Sequence, residues 1–174
     1  MKQQENVAVK RNEAELDILN MILEDHKPLK QLIKILKNDE KDLNQRKAAF
    51  EEFAILLVSH AKPEEQTLYV AMKKKEDLRA EALEGDVEHG LADQLVEEIH
   101  RTENDDDLWS ARTKVLAELV EHHIEEEEKQ LLPDYRKKST PNERIQLGQA
   151  FLKIKTELLE QGGVDSPNEA SLQH

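Results

Sequence analysis

Displacing the chain by 63 residues lays one half of it on the other, and this repeat restricts the fold more than any other feature of the sequence. His26 meets His89, His60 meets His123 and Glu64 meets Glu127. Asp25 meets Glu88, Glu65 meets Glu128, and Leu32, Ile33, Leu56, Leu57 and Leu68 meet Leu95, Val96, Leu119, Val120 and Leu131. The pattern predicts one helical hairpin used twice.

Composition supports helices. Charged residues make up 36% and aromatic residues 3%, with five Gly and five Pro, the profile of long amphipathic helices. At 174 residues one domain can bury a single core. The spacing predicts a first helix from the Asn12/Glu15 capping box to Leu36, kinked near His26 by Pro28. A second helix is expected from Leu43 to Lys74, bent by Pro63 beside His60. A third carries His89, Ala92, Leu95, Val96 and Ile99, with Gly85 and Gly90 weakening its start. The run Asn104 to Asp107 caps a fourth, which fades at Pro133. Thr140-Pro141-Asn142-Glu143 opens a fifth, which Gly162-Gly163 should end. Residues 1–137 are thus read as a four-helix bundle ordered from about residue 13, residues 138–161 as an additional C-terminal helix, and 162–174 as a disordered tail. The apolar face of the fifth helix suits either a cover on the bundle or a dimer contact, so monomer and homodimer both remain open.

Each hairpin places one lone histidine on its first helix and His-x-x-x-Glu on its second, as His60 with Glu64 and His123 with Glu127. Four residues are about one helical turn, so each pair points the same way. A lone histidine on an apolar stripe is usually a hydrogen-bonded core residue, and chance His-x-x-x-Glu pairs are common in so acidic a chain. Six such residues on the stripes of one bundle are different. Burying them costs several kcal/mol per unpaired charge, and no Lys or Arg occupies those stripes. Two cations bridged by both carboxylates account for the set, with His26, His60, Glu64, His89, His123 and Glu127 as metal ligands. His100, His122 and His174 lie off the pattern and are read as ordinary histidines. Tyr69, the nearest redox-active side chain, is read as a packing residue. With no Cys, the metal must take nitrogen and oxygen ligands, so iron, manganese and zinc all fit.

Asp25-His26, His60-x-x-x-Glu64-Glu65, Glu88-His89 and His123-x-x-x-Glu127-Glu128, with Leu68-Tyr69 and Leu131-Leu132-Pro133 trailing, resemble the hemerythrin-like, or HHE cation-binding, family over residues 13 to 137. The resemblance implies an up-down-up-down bundle and an oxygen-bridged di-iron centre of two iron ions, with the four histidines as terminal ligands and Glu64 and Glu127 as bridges. Oxygen carriers of that family use a fifth histidine where this chain has Asp93, which either replaces it or leaves the position open. One octahedral position would then stay open on each iron. That favours binding, sensing or scavenging of dioxygen, peroxide or nitric oxide, with an unidentified redox partner, over simple oxygen carriage. A small di-iron oxygenase or peroxidase acting on an organic substrate and a metal-free interaction bundle are the alternatives. Ferritin-like iron handling needs Glu-x-x-His on two helices, and only Glu97 with His100 has that form.

The net charge of -13 opposes binding to nucleic acid and to anionic membranes. The opening residues lack the apolar run of a signal peptide, and a cytoplasmic location is expected.

Overall fold

The computed structural model describes residues 11–164. Those residues form helices and turns, with no strand among them. Asn12 and Glu15 make the expected capping box on a short helix α1, Glu13–Leu16. The chain then breaks at Asp17, which is extended, and Asp17 caps α2, Ile18–Leu36, through Leu19 N–H. Pro28 sits inside α2 without interrupting it. Helix α3 spans Leu43–Gln66 and α4 Leu68–Lys73, followed by a 3-10 turn, Glu76–Leu78. Then come α5, Arg79–His100, and α6, Asp106–Glu126, the latter capped by Asp105. A π-helical turn, Glu127–Leu131, joins α6 to α7, Leu132–Lys137. Last is α8, Pro141–Val164.

The expected second helix is therefore two. The interruption falls at Thr67 and not beside His60, for a local reason. Thr67 Oγ1 donates to the Pro63 carbonyl at 2.6 Å, the acceptor its own backbone N–H would use in a regular helix, and that N–H turns to Glu64 O at 3.2 Å. The repeat mate of Thr67 is Gln130, inside the π turn. Both hairpins thus leave regular helix just after their glutamate, where wider turns often accompany function.

The long helices pack in pairs, α2 with α3 and α5 with α6, and these pairs meet where α2 touches α6 and α3 touches α5. Two apolar clusters lie on either side of the histidines. One is built on Leu29, Ile33, Phe50, Phe53, Leu116 and Ile124. The other is built on Ile18, Ile22, Leu68, Met72, Tyr135 and Phe151. Polar side chains between two apolar layers are cut off from water, which raises the cost of leaving any of them unpaired.

Helix α8 covers the bundle, lying against α1, α2 and α3. Its first turn is fixed by Arg144, buried against Asp17 at 2.8 Å and donating also to the Ser139 carbonyl at 3.1 Å. Regular helix continues through Gly162 and Gly163 to Val164, beyond the expected stop, while the expected tail from 165 to His174 lies outside the described residues. No helix among the described residues is long and apolar enough to cross a membrane.

Candidate metal centre

All six expected residues converge. His26, His60, Glu64, His89, His123 and Glu127 are buried, none more than 7% exposed. Their ligand atoms form two groups of three: His26, His60 and Glu127, and Glu64, His89 and His123. Each group takes both histidines of one hairpin and the glutamate of the other, a crossing the sequence does not reveal. Glu127 spans both groups, with Oε2 at 3.1 Å from His26 Nε2 and Oε1 at 3.3 Å from His123 Nε2. Glu64 Oε2 lies 3.5 Å from His60 Nε2 and 3.7 Å from His89 Nε2.

The ring nitrogens that face away from the centre are all held by carboxylates. Nδ1 of His60 meets Asp25 at 3.3 Å, that of His89 meets Glu65 at 3.1 Å, that of His26 meets Glu128 at 3.0 Å, and that of His123 meets Glu88. These four carboxylates each precede or follow a ligand in sequence, yet each serves a histidine on a different helix, closing a ring around the bundle. Such a bond fixes the tautomer and turns the Nε2 lone pair inward. Lysines neutralise three of them from outside: Lys30 at Glu128, Lys62 at Glu65 and Lys155 of α8 at Asp25. The sequence showed Asp25/Glu88 and Glu65/Glu128 only as repeat matches, because a partner on another helix is invisible to spacing.

The donor set fits a cation. Glu64 Oε1 and Oε2 and His60 Nε2 are buried without a hydrogen-bond partner. Burial, reinforced by the charge of Glu127, pushes the Glu64 carboxyl well above the usual range. Burial pushes His60 down to about 4 despite its bond to Asp25. For His123 burial works against charge too, but Glu127 and Glu88 override it and hold the ring up at about 10. A buried group with unmet lone pairs, competing for protons, is what a divalent ion relieves.

Asp93 does not join the set. Lys62 holds its Oδ2 at 2.5 Å, on a partly exposed edge. His100 and His122 are exposed beside Glu51 and Glu126. His122 does share a loose surface group with Glu88 and Glu126. His174 lies outside the described residues.

Tyr69 packs in the second apolar cluster as expected, and its hydroxyl also reaches the centre. It is fully buried, and its hydroxyl donates to Glu127 Oε1 at 2.8 Å, 3.3 Å from His123 Nε2 and 3.5 Å from His89 Nε2. Its repeat mate is Leu132, so the two halves of the centre are unequal. Gly85 makes room: a Cβ there would stand 2.5 Å from the Tyr69 oxygen. One signal was legible, since a tyrosine replaced an apolar residue at an otherwise matched position. Gly85→Ala is expected to push the phenol off Glu127 and to reproduce the spectral change of Tyr69→Phe in the metal-loaded protein. Tyr69→Phe in a Gly85→Ala background should then add little. Additive changes would mean that Gly85 acts elsewhere.

An HHE cation-binding domain model of the hemerythrin type matches residues 17–135, more than half of the chain and all six converging residues. No curated protein and no solved structure matches it significantly.

Proposed function

The chain belongs to the hemerythrin HHE cation-binding domain family, and from that premise we propose that it is a di-iron protein that binds, senses or scavenges dioxygen, peroxide or nitric oxide. In this reading the four long helices form an up-down-up-down bundle and α8 is an addition to it. The observation that carries the proposal is the pair of three-ligand groups sharing one buried core, with Glu64 unpartnered between imidazoles of both hairpins. When bound, the irons supply electron exchange with the small ligand.

The chain's own residues set the conditions for that exchange. His26 and His60 would hold one ion and His89 and His123 the other, with Glu64 and Glu127 available to both. The outer carboxylates hold the imidazoles by Nδ1 and so turn Nε2 inward. Tyr69 ties down Glu127 on the His123 side. Leu57, Ala61, Ala92 and Val120 with His60, His89 and His123 line a cavity of about 10 Å³. That space is on the scale of a single water-sized molecule.

Metal analysis with anaerobic and aerobic spectra tests this. About two irons per chain, and an absorption change on adding dioxygen or nitric oxide, are expected. Iron content well below one per chain after anaerobic loading would overturn the proposal. Loading at neutral pH should also release a proton, because His123, held up at about 10, is protonated before a cation arrives. The sign follows: His123 must give up its proton to become a ligand, so affinity should fall as pH falls. A pH-indicator dye in weak buffer measures the release.

A further inference from the structure

The repeat gives the centre two equivalent flanks, and the chain treats them oppositely. On the second hairpin, Glu81, Glu84, Gly85, Glu88, Glu126 and Gln130 surround a cavity of about 80 Å³ whose inner wall includes His123 and Glu127. No Lys or Arg lines it. Gln130 donates to Glu81 Oε1 at 3.3 Å across it, and Glu81 Oε2 is buried without a partner.

The same positions on the first hairpin, 63 residues earlier, are Ile18, Met21, Ile22, Asp25, Pro63 and Thr67. All but Asp25 are buried, and Asp25 is bonded to Lys155. Helix α8 lies against that flank. Phe151 stacks edge-on toward His60 with ring centroids 6.3 Å apart, and Gly148 lies directly on Leu16 and Ile18. Apolar residues face the added helix where the other hairpin turns carboxylates to water.

We infer that the acidic opening between α5 and the π turn is the route by which divalent metal ions reach the centre, α8 having separated the first hairpin's flank from it, where the cavity of about 780 Å³ beside Met21, Asp25 and Lys155 touches none of the six central residues. This rests on the metal-centre reading above. A cleft lined by one sign of charge concentrates the opposite ion and raises its arrival rate by roughly 10- to 1,000-fold, an effect that salt suppresses. Hydrated divalent cations gain from this opening, and anions are repelled.

The test uses the full chain, stripped of metal and mixed with cobalt(II) in a stopped-flow cell, read by the visible absorption of the bound ion. Glu81→Gln with Glu84→Gln and Glu126→Gln leaves every residue of the centre in place, including Glu88, which holds His123. This variant should load about tenfold more slowly at low salt and lose most of the salt dependence of the parent rate. Its final stoichiometry of two and its spectrum should match the parent. Glu15→Gln with Glu24→Gln, beside α8, should load at the parent rate. Equal loading rates for the triple variant and the parent, or equal slowing in both variants, would overturn the route alone. A parent protein that bound no cobalt would overturn the centre itself, and the route with it.

Discussion

The protein carrying His60→Ala together with His123→Ala is expected to retain almost no metal, where the parent holds about two ions per chain. Each substitution removes one imidazole from a different three-ligand group, so neither position keeps a complete set. The damage extends outward. Asp25 and Glu88 lose the ring nitrogens they hold, and Asp25 is left to Lys155 alone. Disturbing such outer partners typically costs about 10- to 100-fold in affinity, and losing a ligand outright costs more. Metal analysis after loading and desalting measures the loss, and the absorption of the loaded parent should vanish with it.

A thermal readout separates this from simple misfolding. An ion present at about 1,000 times its dissociation constant stabilises the folded state by ~4 kcal/mol. At roughly 2–4 °C per kcal/mol for a chain of this size, a chelator should lower the parent Tm by about 8–16 °C. The double variant should show no chelator response while keeping a helical spectrum and a cooperative transition. A variant that still bound two ions, or a parent whose Tm ignored chelator, would remove the basis for the centre.

Gly148→Ala is the second large effect, and it acts on folding and not on chemistry. A Cβ at position 148 would stand 1.7 Å from the Leu16 carbonyl oxygen and 2.8 Å from its carbon. No rotamer relieves a clash with backbone, so α8 must lift from the junction of α1 and α2. Overpacking of this kind usually costs about 1–3 kcal/mol, and a main-chain collision belongs at the upper end or beyond. The Arg144–Asp17 pair lies at the same crossing and would be strained or opened to water. A fall in Tm of roughly 6–12 °C is expected. Because Phe151 and Lys155 ride on the same helix, the spectrum of the His26/His60 side should also change. An unaltered Tm would show that α8 is not held against this junction.

Much of the architecture was legible because helices announce themselves locally. Asn12 with Glu15, Asp105, and Thr140-Pro141 mark helix starts through contacts within four residues, and the structure has them where expected. The differences have particular causes. The helix expected to run unbroken to Lys74 is interrupted at Thr67, whose hydroxyl takes the Pro63 carbonyl. The π turn at Glu127 left no composition signal, since the acidic run through it reads as regular helix. Tyr69 looked like packing because a buried phenol and a hydrogen-bonded one carry the same apolar spacing.

The sequence by itself determined which six side chains share an interior. A spacing of four along one helix and of 63 between two hairpins are one-dimensional facts, and the periodicity of a helix converts them directly into a common direction. The tertiary structure alone decided how those side chains are shared: Glu127 with His26, Glu64 with His89, a ring of carboxylates each serving another helix, and α8 closed over one flank only. Those relations join residues 24 to 130 positions apart, such as Glu65 with His89 and Asp25 with Lys155. They are set by how helices pack, and packing follows from the shape of the whole interior and not from any stretch of chain.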